Sequence, residues 1–365
     1  MPPRHQVLDR ARRIFRTADL AAEAVRDLDP PRRNGRTGHP GAAASPFESR
    51  GPAEALPEPA SPIERAVAEE RAQTLADGVQ AMKKLEQGKD DQVTTRERHG
   101  LEAIVLLAGR PAILIQDGDF MEPPALWGDL KTARESIKSV IRRVGRINVS
   151  GDPNLDWLGT GFLAGPSVVL TNRHVAMEFA KNDAPEAWTF RAPLGASLDF
   201  KAELGSADTL VFRLTEIIGI HETYDLAALR IEKMSGTVPL PDPLPVAPAP
   251  PPGKRLVGRK VYVIGYPAWD GRRNDPEPMR RIFSDVYNVK RLQPGEISGE
   301  ALRSFEILHD CSTLGGNSGS PVVDLETHRV IGLHFGGRYL ENNHAIPLWA
   351  IQTDPLIQRA GLNFQ

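Results

Sequence analysis

Cysteine is nearly absent from this sequence, since one residue of 365, Cys311, carries a thiol. A lone cysteine excludes any disulfide bond within the chain. Disulfides persist mainly in oxidising compartments, so this shortage fits a reducing one, and we predict a cytoplasmic location. Export by a route that leaves no mark on the composition stays open as the alternative.

Long apolar runs and an excess of one charge are lacking too. Runs such as "AIVLLAG" are far too short to span a bilayer, and the first twenty residues contain no apolar core of a secretory signal. The formal net charge of −2 gives no reason to expect nucleic acid or a membrane as partner. HExxH, paired CxxC and Walker-type motifs are missing, so we expect no metal and no cofactor.

The length allows two or three compact units, and the changes in composition suggest where they divide. Residues 1–60 are expected to hold an N-terminal helix and a disordered linker. Residues 61–143 are expected to form a helical extension, and residues 144–365 a β-rich domain. Residues 1–140 are interpreted as an arm for a regulatory partner, with a simple solubilising extension as the alternative.

Three helical segments are predicted before the β-rich domain. Apolar residues at helical spacing predict one amphipathic helix over residues 6–28, and the Pro/Gly/Ala/Ser-rich residues 29–61 predict a disordered linker. A second helix is expected from Ser61, with proline at its first position, to about Gln87. Residues 126–144 predict a third helix, and the stretch before them reads as a helix, a turn and a strand.

From about Gly145 onwards, short β-rich runs alternate with turns, which predicts an all-β barrel or sandwich. Residues 239–253 contain eight prolines in fifteen positions and cannot form a central strand. We interpret them as a stiff connector, with a ligand for a proline-binding domain as the alternative. Two barrels side by side, at about 144–238 and 254–355, are therefore expected.

The turn "LGGNSGSPVV" between two apolar runs places Ser318 among glycines. A serine hydroxyl is a poor nucleophile without a neighbouring base and without donors for the oxyanion that forms. Glycines let the backbone N–H groups turn towards a substrate, so those of Gly316 and Ser318 are candidates for an oxyanion hole. Candidates for the base and its orienting acid are His174, after the strand "VVLT", and Asp225, before the strand "LAALRI".

In the segments "TNRHVA", "YDLAALRI" and "GGNSGSPV", the chain resembles the trypsin/chymotrypsin-like serine peptidases, in the order His174, Asp225, Ser318. The resemblance covers about residues 145–360. It implies a mainly β protein with a chymotrypsin-like double β-barrel, preceded by the helical and partly disordered N-terminal region. It also implies a serine endopeptidase acting on protein or peptide substrates, in which His174 is the base, Asp225 orients it and Ser318 is the nucleophile.

The sequence raises two alternatives, another hydrolase fold and a protein without catalytic activity. An α/β-hydrolase is rejected, because its elbow needs glycine where Ser320 stands, and its acid and histidine should follow the serine. A catalytically silent binding or regulatory module that keeps the barrels is the alternative, although all three side chains are present.

The chain departs from the zymogen-activated members of this family at Asn317, where they carry an aspartate that pairs with a freshly cut amine. An uncharged residue cannot form that ion pair, so we expect the switch to be absent here and a chain truncated near Ala133 to stay active. The lack of disulfides is similar to the bacterial glutamyl-endopeptidase (V8-like) and HtrA-type branches, but no PDZ-like region follows the domain.

The resemblance also places a pocket for the substrate side chain before the scissile bond. Its walls are implied to be Ser312 and Thr313, the stretch from His334 through Phe335 and Gly336, and residues 343–345. The Thr313 and His334 pair resembles the one that glutamyl endopeptidases use for an acidic side chain, while viral 3C-like proteases use a similar pair for glutamine. We therefore predict cleavage after Glu, with Gln as the alternative, unless His334 is merely structural.

Overall fold

In a computed structural model, the chain forms two compact units. A helical unit spans Val7–Val105, and a β-rich unit includes Leu106–Gln365. The residues that the structure describes are 4–28, 62–184, 187–249, 255–269, 276–301, 305–337 and 342–365. None of the helices in these ranges combines the length and the apolar character needed to cross a bilayer.

The regular elements are numbered here in chain order. The helices are α1 (Arg4–Phe15), α2 (Ala18–Leu28), α3 (Pro62–Glu86), α4 (Thr95–Ile104), α5 (Asp129–Thr132), α6 (Arg134–Ile141), α7 (Arg173–Ala176), α8 (Pro276–Phe283) and α9 (Pro355–Ala360). The strands are β1 (Ile113–Gln116), β2 (Asp119–Phe120), β3 (Val144–Ser150), β4 (Trp157–Gly165), β5 (Val168–Thr171), β6 (Ala180–Ala184), β7 (Ala187–Phe190), β8 (Gly195–Asp199), β9 (Val211–Ile220), β10 (Ala227–Ile231), β11 (Met234–Ser235), β12 (Val238–Pro239), β13 (Lys260–Gly265), β14 (Arg291–Ala301), β15 (Glu306–His309), β16 (Pro321–Asp324), β17 (Val330–Gly337) and β18 (Asn343–Pro347).

In the helical unit, the single helix predicted over residues 6–28 is wrong. Arg16 adopts a left-handed conformation with φ 58°, which ends α1. The Thr17 hydroxyl then accepts a hydrogen bond from the Leu20 N–H at 3.3 Å, as an N-cap residue does at the start of a helix. The second predicted helix is confirmed as α3, and the predicted linker lies outside the described residues.

The first barrel is closed, with strand order β10-β5-β4-β3-β8-β9 and antiparallel pairing throughout. Its interior is filled by apolar side chains that alternate along the strands, as a half-buried strand requires. Members of this core that are buried from solvent include Ile147, Leu163, Val169, Leu198, Phe212 and Leu229. The core fixes the ends of β5 and β10, where two of the candidate residues lie.

The second barrel runs β13-β16-β17-β18-β15-β14 and closes because β14 also pairs with β13. Its interior residues include Val261, Val263, Ile297, Val322 and Ile331. The mainly β double barrel preceded by a helical region is thus confirmed. From the sequence, the β-branched and aromatic residues of "RIFSDVYNVKRL" (281–292) predict one further strand, and this prediction is wrong for all but the last two positions. Helix α8 ends at Phe283 and β14 begins at Arg291, because Met279, Ile282 and Phe283 share a helix face buried against Leu314.

The proline-rich connector is bonded to both barrels where the structure describes it. The Leu244 N–H donates to the Leu163 carbonyl of β4 at 2.9 Å, and the Ala247 N–H donates to the Val330 carbonyl of β17 at 2.9 Å. Its backbone is therefore part of the folded unit, as the connector interpretation requires.

The segment before the first barrel belongs to the β-rich unit, whereas the sequence placed the division at residue 144. Strand β1 pairs with β14 of the second barrel, with Ile113 opposite Leu292. The helix predicted over residues 126–144 is interrupted at Ala133, between α5 and α6. Apolar side chains of this segment share a core with the second barrel; they are Ile113, Ile115, Phe120, Trp127 and Leu130.

This arrangement changes the expected outcome of truncation. A chain that begins at Leu106 should unfold cooperatively, because the β-rich unit keeps its core. A chain that begins at Ala133 loses several buried apolar side chains, each worth about 1.5–3 kcal/mol. Its free energy of unfolding in urea should fall by several such increments, and equal free energies for the two chains would contradict this packing.

Candidate functional site

His174 and Asp225 meet at the ends of two neighbouring strands of the first barrel. Strands β5 and β10 pair with Thr171 opposite Ala227, which brings the residues just beyond each end together. His174 Nδ1 lies 2.6 Å from Asp225 Oδ2, and the His174 backbone N–H donates to Asp225 Oδ1 at 2.9 Å. The Asn172 amide also donates to the Asp225 carbonyl oxygen at 2.8 Å. Asp225 is thereby fixed in position, and its carboxylate binds the Nδ1 edge of the His174 ring.

The charge of Asp225 is favoured by these contacts. Burial acts to raise its pKa, but the hydrogen bonds from His174 and the charges of His174 and Arg173 outweigh burial. The pKa of Asp225 therefore lies below its ordinary value, and the group is ionised at neutral pH. An ionised acceptor on Nδ1 stabilises the protonated form of the ring.

Ser318 lies in a turn of the second barrel that is bound to strand β4 of the first. The Thr160 N–H donates to the Ser318 carbonyl oxygen at 2.9 Å, and the Thr160 hydroxyl donates to the Gly316 carbonyl oxygen at 2.8 Å. Gly316 and Gly319 have φ of 83° and 89°, a region that favours glycine. A Cβ on Gly319 would also lie 2.1 Å from the Thr160 carbonyl oxygen. The glycines around the serine are therefore required by both conformation and close approach.

Ser318 Oγ and His174 make no hydrogen bond to each other among the described residues. Asp225 occupies Nδ1 of the ring, so Nε2 is the nitrogen that can meet a hydroxyl. The His174 side chain is half exposed, at 50%, so a substrate can reach it. Hydrogen bonds between catalytic groups are often long before a substrate binds and tighten in the complex.

Some backbone N–H groups of the turn around Ser318 are hydrogen-bonded within the protein, and others are not. The N–H groups of Asn317, Gly319 and Ser320 donate to carbonyl oxygens within the protein. Those of Gly316 and Ser318 have no acceptor within the described part of the chain. An oxyanion hole needs two such unpaired donors close to the nucleophile, here those of the serine itself and of the residue two before it.

A neutral side chain that was not predicted from the sequence supports the turn around Ser318. Gln293 of β14 is fully buried and donates from Nε2 to Asn317 Oδ1 at 2.8 Å. Asn317 in turn donates from Nδ2 to the Leu314 carbonyl oxygen at 3.3 Å. This contact involves no charged amine, in line with the prediction that Asn317 does not pair with a freshly cut amine.

The predicted pocket walls are neighbours in the structure. Thr313 Oγ1 donates to Asn343 Oδ1 at 2.7 Å, and the Asn343 amide donates to the Cys311 carbonyl oxygen at 2.6 Å. The His334 carbonyl oxygen accepts from the Gly319 N–H at 2.9 Å, which places the β17 wall beside the serine. No atom of the described residues lies within 4 Å of a Cβ placed on Gly336, which leaves room beside this part of the β17 wall.

The Phe335 ring, also part of the predicted wall, is partly buried and packs against His344 with a centroid distance of 5.9 Å. Ser312 donates from Oγ to the Arg110 carbonyl oxygen at 2.6 Å. The hydroxyl hydrogens of both wall residues before the serine, Ser312 and Thr313, are thus used within the protein.

A second buried histidine, which the sequence reasoning also missed, contacts His334. His309 Nε2 lies 3.1 Å from His334 Nδ1, and both side chains are almost completely buried. Burial, followed by the charges that His309, His174 and His344 would carry, lowers the pKa of His334 well below its ordinary value. His334 is therefore neutral, with Nδ1 engaged by His309 and Nε2 as its remaining ring nitrogen.

The chain is similar to known serine proteases. The family described as trypsin-like peptidase domain matches residues 159–333. A probable serine protease of Lysobacter enzymogenes is 31% identical over 308 residues, which cover 76% of this chain and 79% of that protein. A glutamyl endopeptidase of Staphylococcus epidermidis is 29% identical over 49% of this chain and 54% of its own, so the chain spans about half the length of that relative. The solved serine endoprotease of Yersinia pestis aligns with 65% of this chain and 68% of its own at 18% identity, with a TM-score of 0.41.

The neutral state of His334 can be measured directly. Its folded pKa lies below the unfolded value, so the unfolded chain binds more protons below about pH 6.5. The stability that comes from neutral His334 is present above that pH and is lost as the pH falls below it. Histidine ring ¹⁵N spectra should show one unprotonated ring nitrogen on His334 at pH 7 and a protonation midpoint below the ordinary value of about 6.5. A protonation midpoint near 6.5 or above for this ring would contradict the assignment.

Proposed function

Given that this chain belongs to the trypsin-like serine peptidase family and is a serine endopeptidase, we propose that His174, Asp225 and Ser318 are its catalytic triad. The observation that carries the proposal is the 2.6 Å contact of His174 Nδ1 with an ionised Asp225, at a site where Ser318 is held across the barrels by Thr160. The unpaired N–H groups of Gly316 and Ser318 supply the oxyanion hole.

Acylation follows from these positions. Ser318 Oγ attacks the carbonyl carbon of the scissile bond while His174 Nε2 takes the hydroxyl proton. The carbonyl oxygen becomes negative and accepts hydrogen bonds from the Gly316 and Ser318 N–H groups. His174 then passes its proton to the leaving nitrogen, the C–N bond breaks, and the acyl group stays on Ser318. Asp225 keeps the ring in the required tautomer and stabilises its charge.

Deacylation repeats the sequence with water as nucleophile. His174 takes a proton from water, the hydroxide adds to the ester carbonyl, and collapse of the tetrahedral intermediate returns the proton to Ser318 Oγ. The Gln293–Asn317 contact holds the oxyanion hole in shape with neutral groups alone. Activity is therefore proposed to need no newly cut amine.

Triad variants give the first test in the full chain. Ser318→Ala or His174→Ala should reduce kcat by a factor of order 10⁴ or more, because the nucleophile or its base is gone. Asp225→Asn should also cost orders of magnitude through the wrong imidazole tautomer. Ser136→Ala, on the exposed face of α6, serves as the control and should leave kcat unchanged. Normal peptide hydrolysis by Ser318→Ala would show that the triad is wrongly assigned, and no hydrolysis by the unaltered protein would favour the silent module.

For the side chain before the scissile bond, we propose Glu. The pocket walls predicted from the sequence contain no aspartate or glutamate to bind a Lys or Arg side chain. His334 is neutral and offers Nε2, and a ring N–H there can donate to a carboxylate. The similarity to a glutamyl endopeptidase supports the same preference.

Gln is the second candidate, favoured by the Thr313–Asn343 contact. Because Asn343 takes the hydroxyl hydrogen of Thr313, the oxygen keeps lone pairs that accept hydrogen bonds. The amide of a Gln side chain can donate to that oxygen and accept from His334 at the same time. A carboxylate can use only the second of these contacts unless the threonine hydroxyl rotates.

Peptides that differ only in the residue before the scissile bond decide between these candidates. A hydrogen bond to a charged group is worth about 1.5–3 kcal/mol, so His334→Ala should lower kcat/KM for the Glu peptide roughly 10- to 150-fold. The Ala peptide should lose far less, which makes it the internal control. Best turnover after Lys, Arg, Phe or Leu would contradict the pocket, and equal losses on both peptides would mean that His334 is structural.

Two expectations rest on sequence patterns alone and stay predictions. One is a regulatory partner for residues 1–140, of which the structure describes the helical unit and the segment that follows it. The other is a cytoplasmic location, which depends on the single cysteine, buried in the structure as Cys311.

A further inference from the structure

Arg110 is one of several deeply buried charged side chains that the proposed mechanism leaves unused. Arg110, 1% exposed, lies just before β1 and outside both barrels in the chain. Its Nε and Nη2 donate to the two carboxylate oxygens of Asp310 at 2.6 and 2.8 Å. Asp310 is 3% exposed and directly precedes Cys311 and the pocket wall residues Ser312 and Thr313.

Arg110 contacts the wall loop at two points. Its guanidinium binds Asp310 at the start of the loop, and its carbonyl oxygen accepts from Ser312 Oγ at 2.6 Å. On the other side, Asn343 accepts from Thr313 and donates to the Cys311 carbonyl oxygen. The loop of residues 310–313 is thus held between Arg110 and Asn343.

Arg110 is itself held by the segment around it. Its Nη1 and the Trp127 indole N–H both donate to the Gly109 carbonyl oxygen, at 2.6 and 3.1 Å. Arg291 donates to the Ala112 carbonyl oxygen at 2.5 Å, next to the pairing of β1 with β14. The Gly109 carbonyl oxygen therefore fixes one side of the guanidinium, and β14 of the second barrel holds the segment that follows Arg110.

Stability alone is a poor reason for this pair. A buried ion pair is often no more stabilising than apolar side chains of the same volume, because both charges lose their hydration. What a bidentate Arg–carboxylate contact adds is geometric definition, since the planar fork accepts one arrangement of the carboxylate. In this protein the carboxylate that is held in this way is Asp310, and the residues that follow it, Ser312 and Thr313, line the proposed substrate pocket.

We propose that Arg110 is a positioning residue for substrate selectivity, which acts through Asp310 and Ser312 to place Ser312 and Thr313 against the side chain before the scissile bond. This rests on the proposed location of the pocket. It means that the selectivity of the enzyme depends on a residue that precedes the barrels in the chain.

The same barrel offers a matched control. Arg259 makes a two-point contact with Asp324, another carboxylate with no exposed surface. Asp324 accepts from the turn at Thr327 and lies at the start of a turn, not in the pocket wall. Loss of either arginine leaves a buried carboxylate without its bidentate cation, but only Arg110 borders the pocket.

The test compares Arg110→Met, Arg110→Lys and Arg259→Met in the full chain. Three quantities are measured: the ratio of kcat/KM for the preferred peptide to that for the Ala peptide, the rate of labelling by a small fluorophosphonate, and the midpoint of thermal unfolding. Arg110→Met should lower the ratio about tenfold, the cost of one misplaced hydrogen bond, and leave the labelling rate within a few-fold. Arg110→Lys should restore part of the ratio, and Arg259→Met should lower the unfolding midpoint and leave the ratio unchanged.

An unchanged ratio in Arg110→Met, or an equal change in Arg259→Met, would overturn the proposal. If Arg110→Met does not fold, the double variant Arg110→Met/Asp310→Leu removes both charges and avoids a buried unpaired one. It should fold and still show the lowered ratio, and a wild-type ratio there would also overturn the proposal. The ratio is defined with whichever residue the unaltered enzyme prefers before the scissile bond. If that residue is not Glu, the unaltered protein shows it, and the test of Arg110 is unaffected.

Discussion

The site depends on Thr160, the residue of β4 at which the two barrels are joined. Its N–H and hydroxyl bind the Ser318 and Gly316 carbonyl oxygens, and its own carbonyl oxygen accepts from Thr171 at 2.8 Å. Thr171 ends the strand that leads to His174. One residue therefore connects the turn that contains Ser318 in one barrel to the strand that leads to His174 in the other. Gly319 must lack a side chain because this carbonyl oxygen lies against it.

Around that junction, preorganisation comes from neutral and internally paired groups. Gln293 holds Asn317, and His309 holds His334, without any charge that depends on chain cleavage. The charged pair of Arg110 and Asp310 is also buried and fixes the start of the loop of residues 310–313. In the proposed account, the first of these three contacts shapes the oxyanion hole, the second orients a hydrogen-bond donor of the pocket, and the third places the pocket wall.

The sequence predicted the barrels and the candidate triad because each depends on local patterns. Alternating apolar residues and glycine-rich turns are visible without tertiary information, and so are the residues that flank His174, Asp225 and Ser318. The supporting residues could not be predicted, because their partners are distant in the chain. Gln293 and Arg110 look like ordinary polar residues until β14 and β1 are placed beside the serine turn. The error at residues 281–292 has a similar cause, since burial against Leu314 stabilises a helix where β-branched and aromatic residues suggested a strand.

The central claim is that Ser318 is a nucleophile activated by His174. Mass-spectrometric mapping of a fluorophosphonate adduct tests it most directly, because the probe reacts with an activated serine and marks the residue. The account predicts a single adduct on the peptide that contains Ser318, and its loss in His174→Ala. An adduct on another residue, or equal labelling of Ser318 in His174→Ala, would contradict it.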